Sequence, residues 1–153
     1  MITLAGAMST AEVGKSLAPA IRSQKVHAIC CTGANLEEEL FGLFSRSEYE
    51  HVPNWRHQSK EEDAELHQRG MNRVTDVAIP ESTFTKVGES LMSLWEESEA
   101  VGDSRFPHEY VYDLLLHGDL EVSSAPEDSW LVAAADANLP IFTPGWDCLL
   151  YTS

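Results

Sequence analysis

Basic residues are scarce in this chain: ten lysines and arginines stand against 25 aspartates and glutamates, a formal charge of −15. A nucleic-acid surface needs clustered Lys and Arg, so that class of partner is excluded. No apolar run approaches the roughly 18 residues of a membrane span. Glu12 and Lys15 interrupt the first apolar stretch too early for a signal peptide. The expected compartment is the cytoplasm, with no membrane partner. The three cysteines, Cys30, Cys31 and Cys148, have no zinc-site spacing and suit a reducing compartment, where they read as buried small apolar residues. The six histidines show neither H-x-x-x-H nor H-E-x-x-H spacing, so no metal site is expected and they read as surface or incidental groups. The G-x-G-x-x-G fingerprint of a standard dinucleotide grip is absent. So are internal repeats and low-complexity tracts.

What is present is the pattern of one α/β domain. The length and an apolar fraction of 43% suit a single buried core. Residues 1–4 predict a strand running into the turn Ala5-Gly6-Ala7. Ser9, with Glu12 three residues on, has the form of a capping box. Val13, Leu17 and Ile21 mark the buried face of the helix it opens. Residues 26–31 predict a buried parallel strand, and Leu36, Leu40, Leu43 and Phe44 line the next helix. Residues 45–59 lack periodicity and predict an extended excursion, 60–68 a short surface helix, and 74–79 a strand ended by Pro80. Helices follow over 81–99, near 108–116 and over 126–137, the last with Pro126 in its first turn. Residues 139–143 close as a short strand. Strands alternating with helices imply βαβ units, hence an α/β, Rossmann-like parallel sheet flanked by helices.

The run Cys31-Thr32-Gly33-Ala34-Asn35-Leu36-Glu37-Glu38-Glu39-Leu40 carries the most chemistry. Three carboxylates read as crowding the first helical turn, which disfavours a pyrophosphate there and favours ribose hydroxyls or an amine. Thr32-Gly33-Ala34 either lets a cofactor approach the backbone, with the Thr32 hydroxyl as partner, or is an ordinary βα turn. In the second case Asn35 caps the helix and Glu38 completes a capping box, and local sequence favours that reading. Glu37 and Glu38 either hold an amine as paired ionised carboxylates or complement the helix dipole on a solvated end, worth about 0.3–1 kcal/mol each. Asn72-Arg73 either positions a ligand or neighbouring chain, or is a surface arginine paired with one of the many acids, the commoner case. Asp76, inside an apolar strand, requires a partner or a cleft. Thr143-Pro144-Gly145-Trp146-Asp147 follows a strand at the edge where open α/β sheets bind ligands. There Trp146 either stacks on a ligand or plugs the core, and Asp147 is a candidate for a ribose or an amine.

Taken together, Thr32-Gly33-Ala34-Asn35-Leu36-Glu37-Glu38, Asn72-Arg73-Val74 leading to Ile79-Pro80, and Leu139-Pro140-Ile141-Phe142-Thr143-Pro144 resemble deoxyhypusine synthase over about residues 2–147. Thr3-Leu4-Ala5-Gly6-Ala7 and Pro144-Gly145-Trp146 are similar to the bacterial deoxyhypusine synthase-like branch. The resemblance implies NAD-dependent transfer of the aminobutyl group of spermidine to an amine acceptor. That acceptor is a lysine of the hypusine-containing translation factor or, in the bacterial branch, a free polyamine giving homospermidine-type products. It also implies that Thr32, Gly33 and Ala34 touch NAD, that Glu37 lies in the spermidine pocket, and that Glu38 is shared between spermidine and the nicotinamide end. Asp147 would match the family's cofactor aspartate, and subunits would assemble as homotetramers.

Two departures from the family pattern bear on activity. The Ser-Asn pair of the family's first turn is Leu4-Ala5 here. The family's lysine nucleophile follows a glycine-rich segment further downstream, a context that none of Lys15, Lys25, Lys60 and Lys86 has. The chain is therefore expected to be an internal fragment. Residues 1–147 form a partial NAD- and spermidine-binding domain, incomplete relative to the family's sheet, and 148–153 a non-family tail. No catalytic residue is expected in the chain, and no transfer activity from it alone. The alternative is a non-catalytic acidic α/β binding or interaction module.

Overall fold

Short strands and longer helices make up the chain, as a computed structural model shows for residues 1–119 and 121–144. In order they are β1 (Ile2–Leu4), α1 (Gly14–Arg22), β2 (Ile29–Cys31), α2 (Gly33–Ser45), β3 (Glu50–His51), α3 (Lys60–Gln68), β4 (Met71–Val74), β5 (Val77–Pro80), α4 (Glu81–Val101), α5 (Pro107–His117), α6 (Trp130–Asp136) and β6 (Ile141–Phe142). β1, β2 and β6 form a parallel sheet with β2 in the centre, Ile29 lying opposite Ile2 on one side and Ile141 on the other. A second sheet, ordered β3-β5-β4, is antiparallel. The architecture is thus mixed α/β, an incomplete Rossmann-like unit with a small antiparallel sheet inserted between α2 and α4.

One core joins the parallel sheet to α1, α2, α4, α5 and α6, with Ile21, Ile29, Leu36, Leu40, Trp130 and Ile141 among its fully buried members. Leu17 and Ile21 lie on the buried face of α1, at the spacing that the sequence predicts. A smaller cluster of Leu66, Met71 and Ala78, with Val52 against it, ties α3 to the inserted sheet.

Several local expectations are corrected. α1 begins at Gly14 with no side-chain cap, because Glu12 adopts φ +58° and Ser9 is turned inward rather than capping a helix. The central strand is confined to Ile29–Cys31, although Val26 is buried as well. The excursion over 45–59 is built from two 3₁₀ turns, Arg46–Glu48 and Trp55–His57, flanking β3. Residues 74–79 are not one parallel strand but the inner part of the β4–β5 hairpin, with Thr75 at φ +56° in its turn. Asp76 is in that turn, half exposed and accepting a hydrogen bond from the Thr75 hydroxyl, so its charge faces water rather than a cleft. Residues 126–137 divide into a 3₁₀ turn, Pro126–Asp128, and α6, which Ser129 caps by accepting from the Val132 amide at 3.3 Å. His108 is buried between the Phe106 ring and the edge of Tyr112, and burial holds its pKa below the usual histidine value. It is a core residue, not an incidental surface group.

Gly14 sets how closely α1 approaches the start of α6. A Cβ there would lie 2.2 Å from the Asp128 carbonyl oxygen and 3.2 Å from the Trp130 amide nitrogen, both backbone atoms that cannot rotate away. Gly14→Ala is expected to lower stability by about 2 kcal/mol or more, the scale of an overpacked core site, read as a lower urea midpoint. An unchanged midpoint would show that the two segments separate freely.

Candidate functional site

Because β1, β2 and β6 are parallel, the segments leaving their carboxyl ends gather at one edge of the sheet: residues 5–13, Thr32-Gly33 and Thr143-Pro144. This is the edge where open α/β sheets take ligands. Thr32 is the N-cap of α2, its hydroxyl accepting from the Asn35 amide at 3.4 Å. The same hydroxyl donates to the Gly6 carbonyl at 2.8 Å, so it is engaged within the chain. The capping box drawn from sequence is replaced: Thr32, not Asn35, is the cap, and Glu38 plays no part in it.

Asn35 is fully buried and fastens the loop after β1. Its Oδ1 accepts from the Met8 and Ser9 amides at 2.9 and 3.3 Å. Its Nδ2 donates to the Gly6 carbonyl at 2.6 Å and to the Thr32 hydroxyl at 2.8 Å. The Ser9 hydroxyl donates to the Asn35 carbonyl at 2.7 Å and accepts from the Trp130 indole N–H at 3.0 Å.

The acids do not crowd the helix start. Gly33 is the first residue of α2, the first turn has no acid, and Glu37, Glu38 and Glu39 occupy its fifth to seventh positions. Repulsion of a phosphate at the first-turn amides is correspondingly weaker than the sequence run suggests. Successive residues point about 100° apart around a helix, and the three carboxyls meet three environments. Glu39 is 6% exposed, and its Oε1 accepts from the Ser129 hydroxyl at 2.7 Å and the Trp130 amide at 3.1 Å. Glu38 is half-buried and accepts from the Thr10 hydroxyl at 2.5 Å. Glu37 is half-buried too, and its Oε1 is inaccessible to water with no hydrogen-bond partner among the described residues. Burial is the main cause that raises all three carboxyl pKa values; Glu38 adds to it at Glu37, while the Thr10 contact opposes it at Glu38. Beside them the Arg46 guanidinium lies 5.5 Å from the Tyr49 ring centre, and the buried Tyr49 hydroxyl has no partner among the described residues. Burial, with Glu38 and Glu39 nearby, pushes the Tyr49 phenol up.

Sequence reasoning missed Thr10 and Tyr49, and the buried roles of Ser9 and Glu39. Glu39 had a signal: it falls three residues after Leu36 and four before Leu43, on the inward stripe of α2. Tyr49 had none, since it follows an irregular segment.

The other candidates lie elsewhere. Arg73 forks onto Asp63, its Nε 2.5 Å from Oδ1 and its Nη2 2.8 Å from Oδ2, and Asn72 donates to Glu81. Both serve the inserted sheet rather than the carboxyl edge. Cys30 is half-buried and Cys31 buried, with the Cys31 thiol pushed up to about 12 by burial and then by Cys30. Trp146, Asp147 and Cys148 lie outside the described residues. Among the described residues no group of three or more His, Cys, Asp or Glu side chains is placed to hold a metal ion, and no helix is long and apolar enough to cross a membrane.

The deoxyhypusine synthase family model matches residues 1–150. The chain belongs to the deoxyhypusine synthase family. Several similar relatives are archaeal. A protein named probable deoxyhypusine synthase 2 from Methanosarcina mazei is 30% identical over 146 residues, which cover 94% of this chain and 39% of that protein. Its namesake from Archaeoglobus fulgidus is 28% identical over 144 residues, covering 94% and 44%. A probable deoxyhypusine synthase from Aeropyrum pernix is 35% identical over 86 residues, 56% of this chain and 26% of that protein. The chain spans about two-fifths of the length of the first of these relatives. Of the three motifs that carry the family likeness, the Thr32 run and the Leu139 run meet at the carboxyl edge of the parallel sheet, while Asn72-Arg73-Val74 forms β4.

A carboxyl whose pKa rises on folding favours the folded state only while it is protonated. Stability from that source is complete below the unfolded value and is lost as pH rises through the folded one. The urea midpoint of Glu37→Gln should match that of the parent below about pH 4.5, the ordinary glutamate value, and exceed it increasingly as pH rises. A difference that stays flat over about pH 4 to 8 would show that the Glu37 carboxyl is not desolvated.

Proposed function

We propose that the chain is the NAD- and spermidine-binding part of an aminobutyl transferase of the deoxyhypusine synthase family, acting in the cytoplasm. The single observation that carries this reading is Glu37: a carboxylate in the second turn of the helix that starts at the carboxyl edge of the sheet, with a buried oxygen that nothing in the described chain satisfies. A half-buried carboxylate in that condition is stabilised by a cation brought to it, since the cation replaces the lost water. An ammonium group of spermidine supplies that charge. Glu38, held by Thr10, is positioned to take a second ammonium or a ribose hydroxyl.

The helix start fits the cofactor. α2 has no acid in its first turn and opens on Gly33, which adds no side chain, so the positive end of the helix dipole favours a phosphate or ribose at this turn. Thr32, Gly33 and Ala34 are assigned to NAD through their backbone, because the Thr32 hydroxyl is engaged by Gly6 and Asn35. Asp147 is assigned to the cofactor by family motif. NAD, when bound, would take the hydride from the polyamine. The chain's own residues hold the ammonium groups and orient the reacting carbon; none of its four lysines follows the family's glycine-rich segment, so the chain alone is inactive in transfer. The acceptor is an amine, either a protein lysine or a free polyamine. The whole enzyme is a homo-oligomer, tetrameric as in the family.

Spermidine titrated into the chain in the presence of NAD is expected to bind saturably, and Glu37→Gln and Glu38→Gln each to weaken it about tenfold or more, the scale of a charge-assisted hydrogen bond. Equal affinity in both variants would remove these carboxylates from the site. Formation of an aminobutylated acceptor by this chain alone would overturn the assignment of the nucleophile to another part of the enzyme.

A further inference from the structure

Beside α2 lies a cavity of about 230 Å³, lined chiefly by Glu12, Lys15, Glu39, Arg46, Asp128 and Ser129. Glu37 and Glu38 do not line it. Two of its charged groups are incompletely bonded. The hydrogen bonds that fix the buried Glu39 carboxylate fall on Oε1, and none is made to Oε2 among the described residues. Arg46 has five N–H donors, yet among the described residues its acceptors are distant: the Ser9 carbonyl at 3.5 Å and Glu12 Oε1 at 3.8 Å. Its guanidinium folds back along α2 over Gly42, where a Cβ would come within 3.0 Å of Nη2. Glu12 is closed off at the rim by Lys15 at 2.7 Å.

A carboxylate with a bare oxygen and a guanidinium without a near acceptor, facing one space, match a ligand carrying both charges. An ammonium meets Glu39 and a carboxylate meets Arg46. The exposed Asp128 at the mouth leaves the lining with one negative charge in excess, which a second ammonium neutralises. We propose that this cavity binds a small α-amino acid bearing a second ammonium group. A simple anion is disfavoured by the buried Glu39 and a simple diamine by Arg46.

The test is an amide NMR titration of the whole chain with three probes: L-ornithine, putrescine, which lacks the carboxylate, and 5-aminopentanoate, which lacks the α-ammonium. Ornithine is expected to give saturable shifts at Gly14, Gly42 and Ser129, and the other two to bind at least about tenfold more weakly. Arg46→Met and Asp128→Asn should each weaken ornithine by about tenfold. Asp128 is exposed and makes no side-chain hydrogen bond among the described residues, so its variant tests the site without disturbing the fold. Putrescine binding as well as ornithine, no saturable ornithine shift, or shifts confined to the surroundings of Glu37 would each overturn the proposal. The spermidine site is unaffected by any of these outcomes, because its carboxylates do not line the cavity.

Discussion

The arrangement depends on one buried polar network, in which Asn35, Ser9, Glu39 and Trp130 join three segments far apart in sequence. Asn35 alone makes four side-chain hydrogen bonds to the backbone and hydroxyl groups of residues 6–9 and Thr32. Buried polar groups are tolerable only when paired, and each member here pairs with another segment. The loop after β1 cannot leave α2 without exposing Asn35, and α6 cannot leave without stranding Glu39. The parallel sheet has three described strands, β6 spanning two residues and β1 and β2 three each, so the network adds cross-links at its carboxyl edge that short strand pairing does not supply.

The network also explains how an acidic chain keeps carboxylates half out of water. Thr10 lies on the loop that Asn35 and Ser9 hold down, and it is Thr10 that bonds Glu38. The same loop continues to Glu12, which reaches Lys15 and Arg46. The segment therefore borders both Glu38 and the cavity beside Glu39. Raised carboxyl pKa values in this region mark where folding has placed charge at a cost.

Where helical period and local capping act alone, the sequence is a sufficient guide. Lys60–Gln68 is helical at the predicted residues, held by the Ser59–Glu62 box, and Leu17 and Ile21 face inward on α1. Where a tertiary partner competes with the local pattern, the partner prevails. Ser9 and Glu12 have the spacing of a capping box, but Asn35 and Trp130 offer Ser9 buried partners, so the helix starts four residues later. Residues 74–79 are apolar enough for a buried strand, yet Thr75 and Asp76 supply a tight turn, and pairing with Met71–Val74 makes a hairpin. The excursion over 45–59 has no period because its pairing partner, β5, lies about 25 residues further on.

The three glutamates show why a run of like charge is a poor unit of interpretation. Adjacent in sequence, they diverge by about 100° per residue on the helix, so their shared electrostatic character says little about shared work. Glu39 is turned to the core and is held by Ser129 and Trp130; its removal would act first on folding. Glu38 has one internal donor and remains partly accessible. Glu37 has a buried oxygen with no internal donor at all among the described residues. Internal satisfaction falls along that series: Glu39 keeps only Oε2 without an internal donor, on the cavity side, and the buried Glu37 oxygen has none at all. Family motif singles out Glu37 and Glu38, and the hydrogen-bond pattern gives the physical reason that the third member of the run is not with them.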